Sequence, residues 1–242
     1  MIELSCIAMV YEGIILIPAF ILVILSCRNY MSNRTHLSLL LFLIMISYAL
    51  SIIFSWWSKV MGCFFYIDYL KIERVPDPRT PISWILLRIS YFRITFAFIN
   101  LAILFSFEFK KNIFNKNHVK FYKMFIYCLA SFNILFSIFF FEKGIIVLDV
   151  LVFLFAFFFE CIVYIPFFVE SHKNFKITLD PIFKKKFLNL MVMSISFILV
   201  LFCLLIDRIF IFMDWGSYTF FYFISWQFVL IGIFTAYRGY LK

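Results

Sequence analysis

Apolar runs long enough to cross a bilayer alternate with short polar breaks along the whole chain. The runs cover residues 9–27, 37–57, 82–107, 121–141, 145–169, 187–212 and 218–237. Each is close to or above the ~20 apolar residues that a transmembrane helix requires. Several starts carry helix-initiating residues: Thr80 before Pro81, Asn117 before the fourth run, Asp180 before Pro181, and Ser217 after the turn residues Asp214, Trp215 and Gly216. A side-chain oxygen at such a position accepts an otherwise orphaned N–H, and a following proline is already set to a helical φ. The pattern predicts seven discrete helices joined by short loops.

Composition agrees with that pattern. Hydrophobic residues make up 65% of the chain and charged residues 14%, whereas soluble domains run near a quarter charged. In 242 residues there is no room for seven spans and a separate soluble domain. The expected fold is therefore an all-α, single-domain, multi-pass membrane protein: a seven-transmembrane-helix bundle over residues 1–242, with the cell membrane as its location. The opening MIELSC carries no basic residue, and the first run is longer than a signal-peptide core, so it is expected to persist as a helix. The 38 phenylalanines, often in runs such as Phe157 to Phe159, read as lipid-facing filler.

The net charge of +9 acquires a meaning once its residues are sorted by side. Residues 28–36, 108–123, 170–186 and the tail hold fourteen Lys and Arg, against six at the opposite ends of the spans (Lys59, Lys71, Arg74, Arg79, Lys143 and Arg208). By the positive-inside rule the N-terminus lies outside and the C-terminus in the cytoplasm. The charge is then an orientation signal with some attraction for anionic lipid heads, and no nucleic-acid partner is expected. The sequon at Asn33 falls on the cytoplasmic side and is expected to stay unglycosylated.

Four charges remain inside the runs: Arg88 and Arg93 in the third, Asp149 and Glu160 in the fifth. Arg93 lies about 16 Å from the outer boundary and Glu160 about 22 Å, while Asp149 lies near that boundary. Asp149 and Glu160 are about three turns apart and share a helix face. Asn100 continues the line of Arg93, and Asn189, Ser196, Cys203 and Asp207 form a stripe on the sixth run. Charge in the membrane costs on the order of 3 kcal/mol per residue on insertion scales, so these groups are expected to face inward and pair, with Arg93 and Arg88 as partners for Glu160 and Asp149. Pro166, one turn beyond Glu160, is expected to kink its helix.

Motifs for chemistry are absent. The histidines His36, His118 and His172 all fall in loops on the positive side, which removes an intramembrane haem or metal ligand. The six cysteines have no paired spacing; a Cys6–Cys63 disulfide is one arrangement, free thiols the expected one. There is no glycine-rich phosphate loop and no Ser, His and acid set within the spans. The seventh run has neither a lysine for a retinal Schiff base nor an Asn-Pro-x-x-Tyr segment, the third ends in FSFEFKK rather than Asp-Arg-Tyr, and no internal repeat of the sugar-carrier kind is visible. An enzyme and a cofactor are not expected.

The reading that remains is a receptor-like or sensory membrane protein. It would bind a small ligand or lipid in an outward-facing polar pocket built from Arg88, Arg93, Asn100, Asp149, Glu160, Asp207 and Gln227, with Glu12, Lys59 and Arg208 also falling toward the external half. A cytoplasmic protein partner would dock on residues 108–123 and 170–186. The alternatives are a small transporter or proton-coupled carrier using Glu160, and an auxiliary subunit of a membrane complex.

Overall fold

The structure, a computed structural model, describes residues 2–64, 80–114, 120–140, 146–213 and 219–240. The described residues form α-helices and no strand: α1 (Ile2–Asn33), α2 (His36–Phe64), α3 (Pro81–Ser90), α4 (Arg93–Phe114), α5 (Lys120–Phe139), α6 (Ile146–Ile177), α7 (Pro181–Phe212) and α8 (Phe220–Tyr240). Asn117, Ser217, the Asp214–Gly216 turn, Lys71, Arg74, Arg79, His118, Lys143 and Lys242 lie outside the described residues.

Six of these helices are long and apolar enough to cross a membrane, and α3 with α4 forms a bent pair that passes the same test together. The chain is a membrane protein. Its helices overrun the apolar stretches: α1, α6 and α7 have 32 residues each, about 48 Å, against a hydrocarbon core of about 30 Å. Apolarity marks the stretch that lipid can cover, but the backbone ladder continues past it while side chains remain compatible with a helix. Glu12 is therefore three turns inside α1 rather than near its start, and Lys59 lies on α2, which continues beyond the predicted end at residue 57.

Two predicted starts have the expected chemistry. Thr80 accepts from the Ser83 amide at 3.2 Å ahead of Pro81, and Asp180 accepts from the Ile182 amide at 2.8 Å ahead of Pro181. The α-helical assignment of α6 is unbroken through Pro166.

The run 82–107 departs from expectation. It is broken at Tyr91 and Phe92, with 64° between α3 and α4, and Phe92 has a φ of 58°. A bulky side chain is strained in the left-handed region. Neither glycine nor proline marks the spot; the reason is in the packing described below.

α4 sits centrally, against α2, α5 and α6, while α2, α1, α8, α7 and α6 follow one another around it. The α7–α8 seam is close because α8 offers Gly232, Ala236 and Gly239: a Cβ on Gly232 would lie 2.5 Å from the Phe197 ring, and one on Gly239 3.0 Å from Leu190. Small residues of this kind let membrane helices approach. The core is aromatic and aliphatic, with Tyr48 stacked on Phe197 at 4.5 Å and Phe96 edge-on to Phe153 at 4.2 Å.

Candidate functional site

Cys6 on α1 and Cys63 on α2 are disulfide-bonded, which corrects the expectation of free thiols there. The bond ties two helix ends, and the buried charges gather behind it. Glu12 and Lys59, both side chains fully buried, pair at 3.0 Å. Ser55 donates to Glu12 at 2.9 Å and accepts from Lys59 at 2.8 Å, and the Tyr222 hydroxyl of α8 also donates to Glu12. The Lys59 ammonium lies 4.0 Å from the centre of the Phe92 ring, and the Arg208 guanidinium lies 4.8 Å from it. The helix break thus delivers one aromatic ring to two buried cations, an attraction that strengthens when water is excluded. This offsets the cost of the Phe92 backbone.

Arg93 opens α4 directly after the break and bonds Asp149 of α6 at 2.5 Å. Asp207 of α7 accepts from both the amide and the hydroxyl of Thr219 at 2.7 Å, closing the link to α8. Three cations (Lys59, Arg93, Arg208) and three carboxyl groups (Glu12, Asp149, Asp207) from five helices therefore share this end of the bundle.

The predicted site residues separate into distinct places. Arg88 turns toward α5: its Nε donates to the Ile138 carbonyl at 2.7 Å and its guanidinium stacks on Trp84 at 3.5 Å. Asn100 donates to the Phe96 carbonyl of its own helix at 2.8 Å. Gln227 is exposed and donates to Tyr11 on the outer α1–α8 seam, at 2.5 Å, so it does not face the interior. Arg93 pairs with Asp149, and the expected Arg93–Glu160 partnership is not formed among the described residues.

Glu160 occupies different surroundings. It is 1% exposed, and its Oε2 has no hydrogen-bond partner among the described residues. It lines a cavity of about 20 Å³ together with Tyr48, Thr95, Phe153, Arg208, Tyr222 and Trp226, among others. Such a volume holds about one or two water molecules. Three further buried polar atoms on residues lining this cavity have no hydrogen-bond partner among the described residues: Thr95 Oγ1, Trp226 Nε1 and Arg208 Nε. Beyond Glu160 runs a short chain of hydroxyls: Tyr48 to Tyr164 at 3.2 Å, then Tyr164 to Ser106 at 2.8 Å.

Sequence reasoning placed Glu12 and Lys59 only broadly, toward the outer half of the expected pocket, and assigned no role to Phe92, Thr95 or Tyr222. A signal existed for α2, where Ser47, Ser51, Ser55 and Lys59 recur every four residues and so form one polar helical stripe. Nothing local marked Phe92. No group of three or more His, Cys, Asp and Glu suited to a metal occurs among the described residues. No family model matches the chain, and no curated protein or solved structure does either.

Proposed function

We propose that the protein is a receptor-like, seven-span membrane protein that binds a small polar ligand inside the bundle, with α3 and α4 together serving as one broken span. The observation that carries this reading is Glu160, a buried carboxyl group facing a cavity with one oxygen that has no hydrogen-bond partner among the described residues. Ionisable groups this deep in membrane proteins mark ligand or ion sites by default. In this conformation the cavity admits only a few atoms, so a larger ligand requires the α3–α4 break to move.

The proposed orientation, N-terminus outside, rests on two independent features. The positive-inside excess is one. The Cys6–Cys63 disulfide at the opposite end from those basic segments is the other, since such bonds persist in oxidising compartments.

The two ends of the bundle are built differently, which favours a receptor over a repeat-built carrier with equivalent gates. The disulfide end is closed by buried ion pairs. The opposite end has a cleft of about 790 Å³ lined by Thr35, Asn112, Phe183, Lys186, Phe187 and Tyr240. Nearby, Lys110 pairs with Glu170 at 3.7 Å. This end offers the surface for a cytoplasmic partner on residues 108–123 and 170–186.

A second reading, a proton-coupled carrier, is favoured by one observation: the Tyr48–Tyr164–Ser106 hydroxyl chain that begins beside Glu160. One experiment separates the two. Protein in nanodiscs and in liposomes is challenged with the same panel of small polar compounds. Saturable binding without flux, weakened by Glu160→Gln, supports the receptor; flux abolished by that substitution supports the carrier. Unchanged binding together with unchanged flux in Glu160→Gln would sink both.

A further inference from the structure

We infer that the cavity at Glu160 takes a small amine carrying a hydroxyl or carbonyl oxygen, an amino alcohol being the simplest case. This rests on the reading of the cavity as a ligand site and names the chemistry that its walls select.

The argument starts from the unmet valences. Glu160 Oε2 is a buried acceptor, Trp226 Nε1 a buried donor, and Thr95 Oγ1 can act as either; none has a hydrogen-bond partner among the described residues. The three residues are 1%, 4% and 4% exposed and line the same cavity. Leaving a buried polar atom unpaired costs on the order of 1–3 kcal/mol, so three around one cavity amount to a site awaiting complementary atoms. The acceptor calls for a donor on the ligand, preferably cationic, because a hydrogen bond between charged partners is roughly twice as strong as a neutral one. The indole N–H calls for an oxygen on the ligand, since it can only donate.

The remaining wall selects the sign of the charge. Tyr48, Phe96, Phe153 and Tyr222 present aromatic rings, and ring faces attract ammonium groups. The other charged liner, Arg208, already lies 4.8 Å and 5.1 Å from the Phe92 and Phe153 ring centres. Glu160 forms no ion pair among the described residues, so it is the carboxyl group in the cavity open to an ammonium. Tyr48, Tyr164, Tyr222 and Arg208 are the other titratable groups around it. An ammonium at Glu160 completes a pair, and an oxygen on the same small molecule is left to meet Trp226 or Thr95.

The test uses the full chain in nanodiscs with ethanolamine, ethylamine, ethylene glycol and acetate as probes, measured by calorimetric titration and thermal shift. Ethanolamine is expected to bind tightest, ethylamine next, and ethylene glycol at least tenfold more weakly. Glu160→Gln is expected to weaken ethanolamine at least tenfold, and Glu160→Asp, which keeps the charge, to weaken it less. Trp226→Phe should bring ethanolamine down to the level of ethylamine while leaving ethylamine unchanged.

Ethylene glycol matching ethanolamine, or Glu160→Gln binding as wild type does, overturns the proposal. Acetate binding that disappears in Arg208→Gln also overturns the cation assignment while leaving the cavity a ligand site. Binding by none of the four probes overturns the amino-alcohol class, and the broader ligand reading falls only if the compound panel fails as well.

Discussion

Asp149 and Glu160 stand on the same face of α6, about three turns apart, yet their surroundings oppose each other. Asp149 is bonded to Arg93 and belongs to a group in which every cation faces a carboxyl group or an aromatic ring. Glu160 faces a cavity and keeps an oxygen without a partner. Two carboxyl groups in one helix therefore divide the work: one fastens α4 to α6, the other leaves a valence open. Position along the helix made this difference, because the break at Phe92 brings Arg93 level with Asp149 and away from Glu160.

The strongest way to break the contrast is to remove the fastening. Arg93→Ala leaves Asp149 buried without its partner, and the loss of stability is expected at about 3–5 kcal/mol, read as a lowered unfolding midpoint in nanodiscs. Replacing both partners with apolar residues, Arg93→Met with Asp149→Leu, should recover most of that loss, since a buried pair roughly balances its own desolvation. If Arg93→Ala proved no worse than Glu160→Gln, the distinction between the two carboxyl groups would collapse.

Next in size is Cys63→Ser, which frees the α1 and α2 ends beside the Glu12–Lys59 pair. A loss of about 2–4 kcal/mol is expected, and a reductant should reproduce it in wild type but add nothing in the variant. Smaller again is Gly232→Ala. Its methyl would lie 2.5 Å from Phe197, whose ring stacks on Tyr48 of the cavity wall. Overpacking of this kind costs about 1–3 kcal/mol, and Gly232→Ala should also weaken ethanolamine binding by shifting Tyr48.

The smallest stability effect is predicted for Glu160→Gln, within about 1 kcal/mol of wild type, because the substitution keeps the shape and removes no ion pair. A loss as large as that of Arg93→Ala would mean that Glu160 is a fastening after all. The pairing itself can be sharpened by exchanging Arg93 and Asp149, which should restore part of the single-variant loss.

Much of the helical plan was legible because lipid imposes a simple rule on sequence. Runs such as 37–57 and 187–212 had to be helical, since every backbone group in the bilayer must be bonded internally. The capping roles of Thr80 and Asp180 were equally local. The site was legible only in part. Asp149, Glu160 and Arg93 announced themselves as charges within apolar runs, whereas Glu12 and Lys59 could be placed only broadly, toward the external half, and their pairing was not legible. Gln227, polar and mid-helix, faces outward to Tyr11, a choice its own sequence neighbours do not encode.

Composition, period and charge bias by themselves determined that this chain is a bundle of long apolar helices with a few costly polar groups. Those quantities follow from transfer of side chains and peptide groups between water and lipid, which each segment meets alone. Tertiary structure decided which charge meets which. The Arg93–Asp149 bond, the Phe92 ring shared by Lys59 and Arg208, and the solitary carboxyl of Glu160 depend on the relative height and rotation of helices far apart in sequence. A left-handed Phe92 is unfavourable for its own residue and stable only because two cations from other helices converge on its ring.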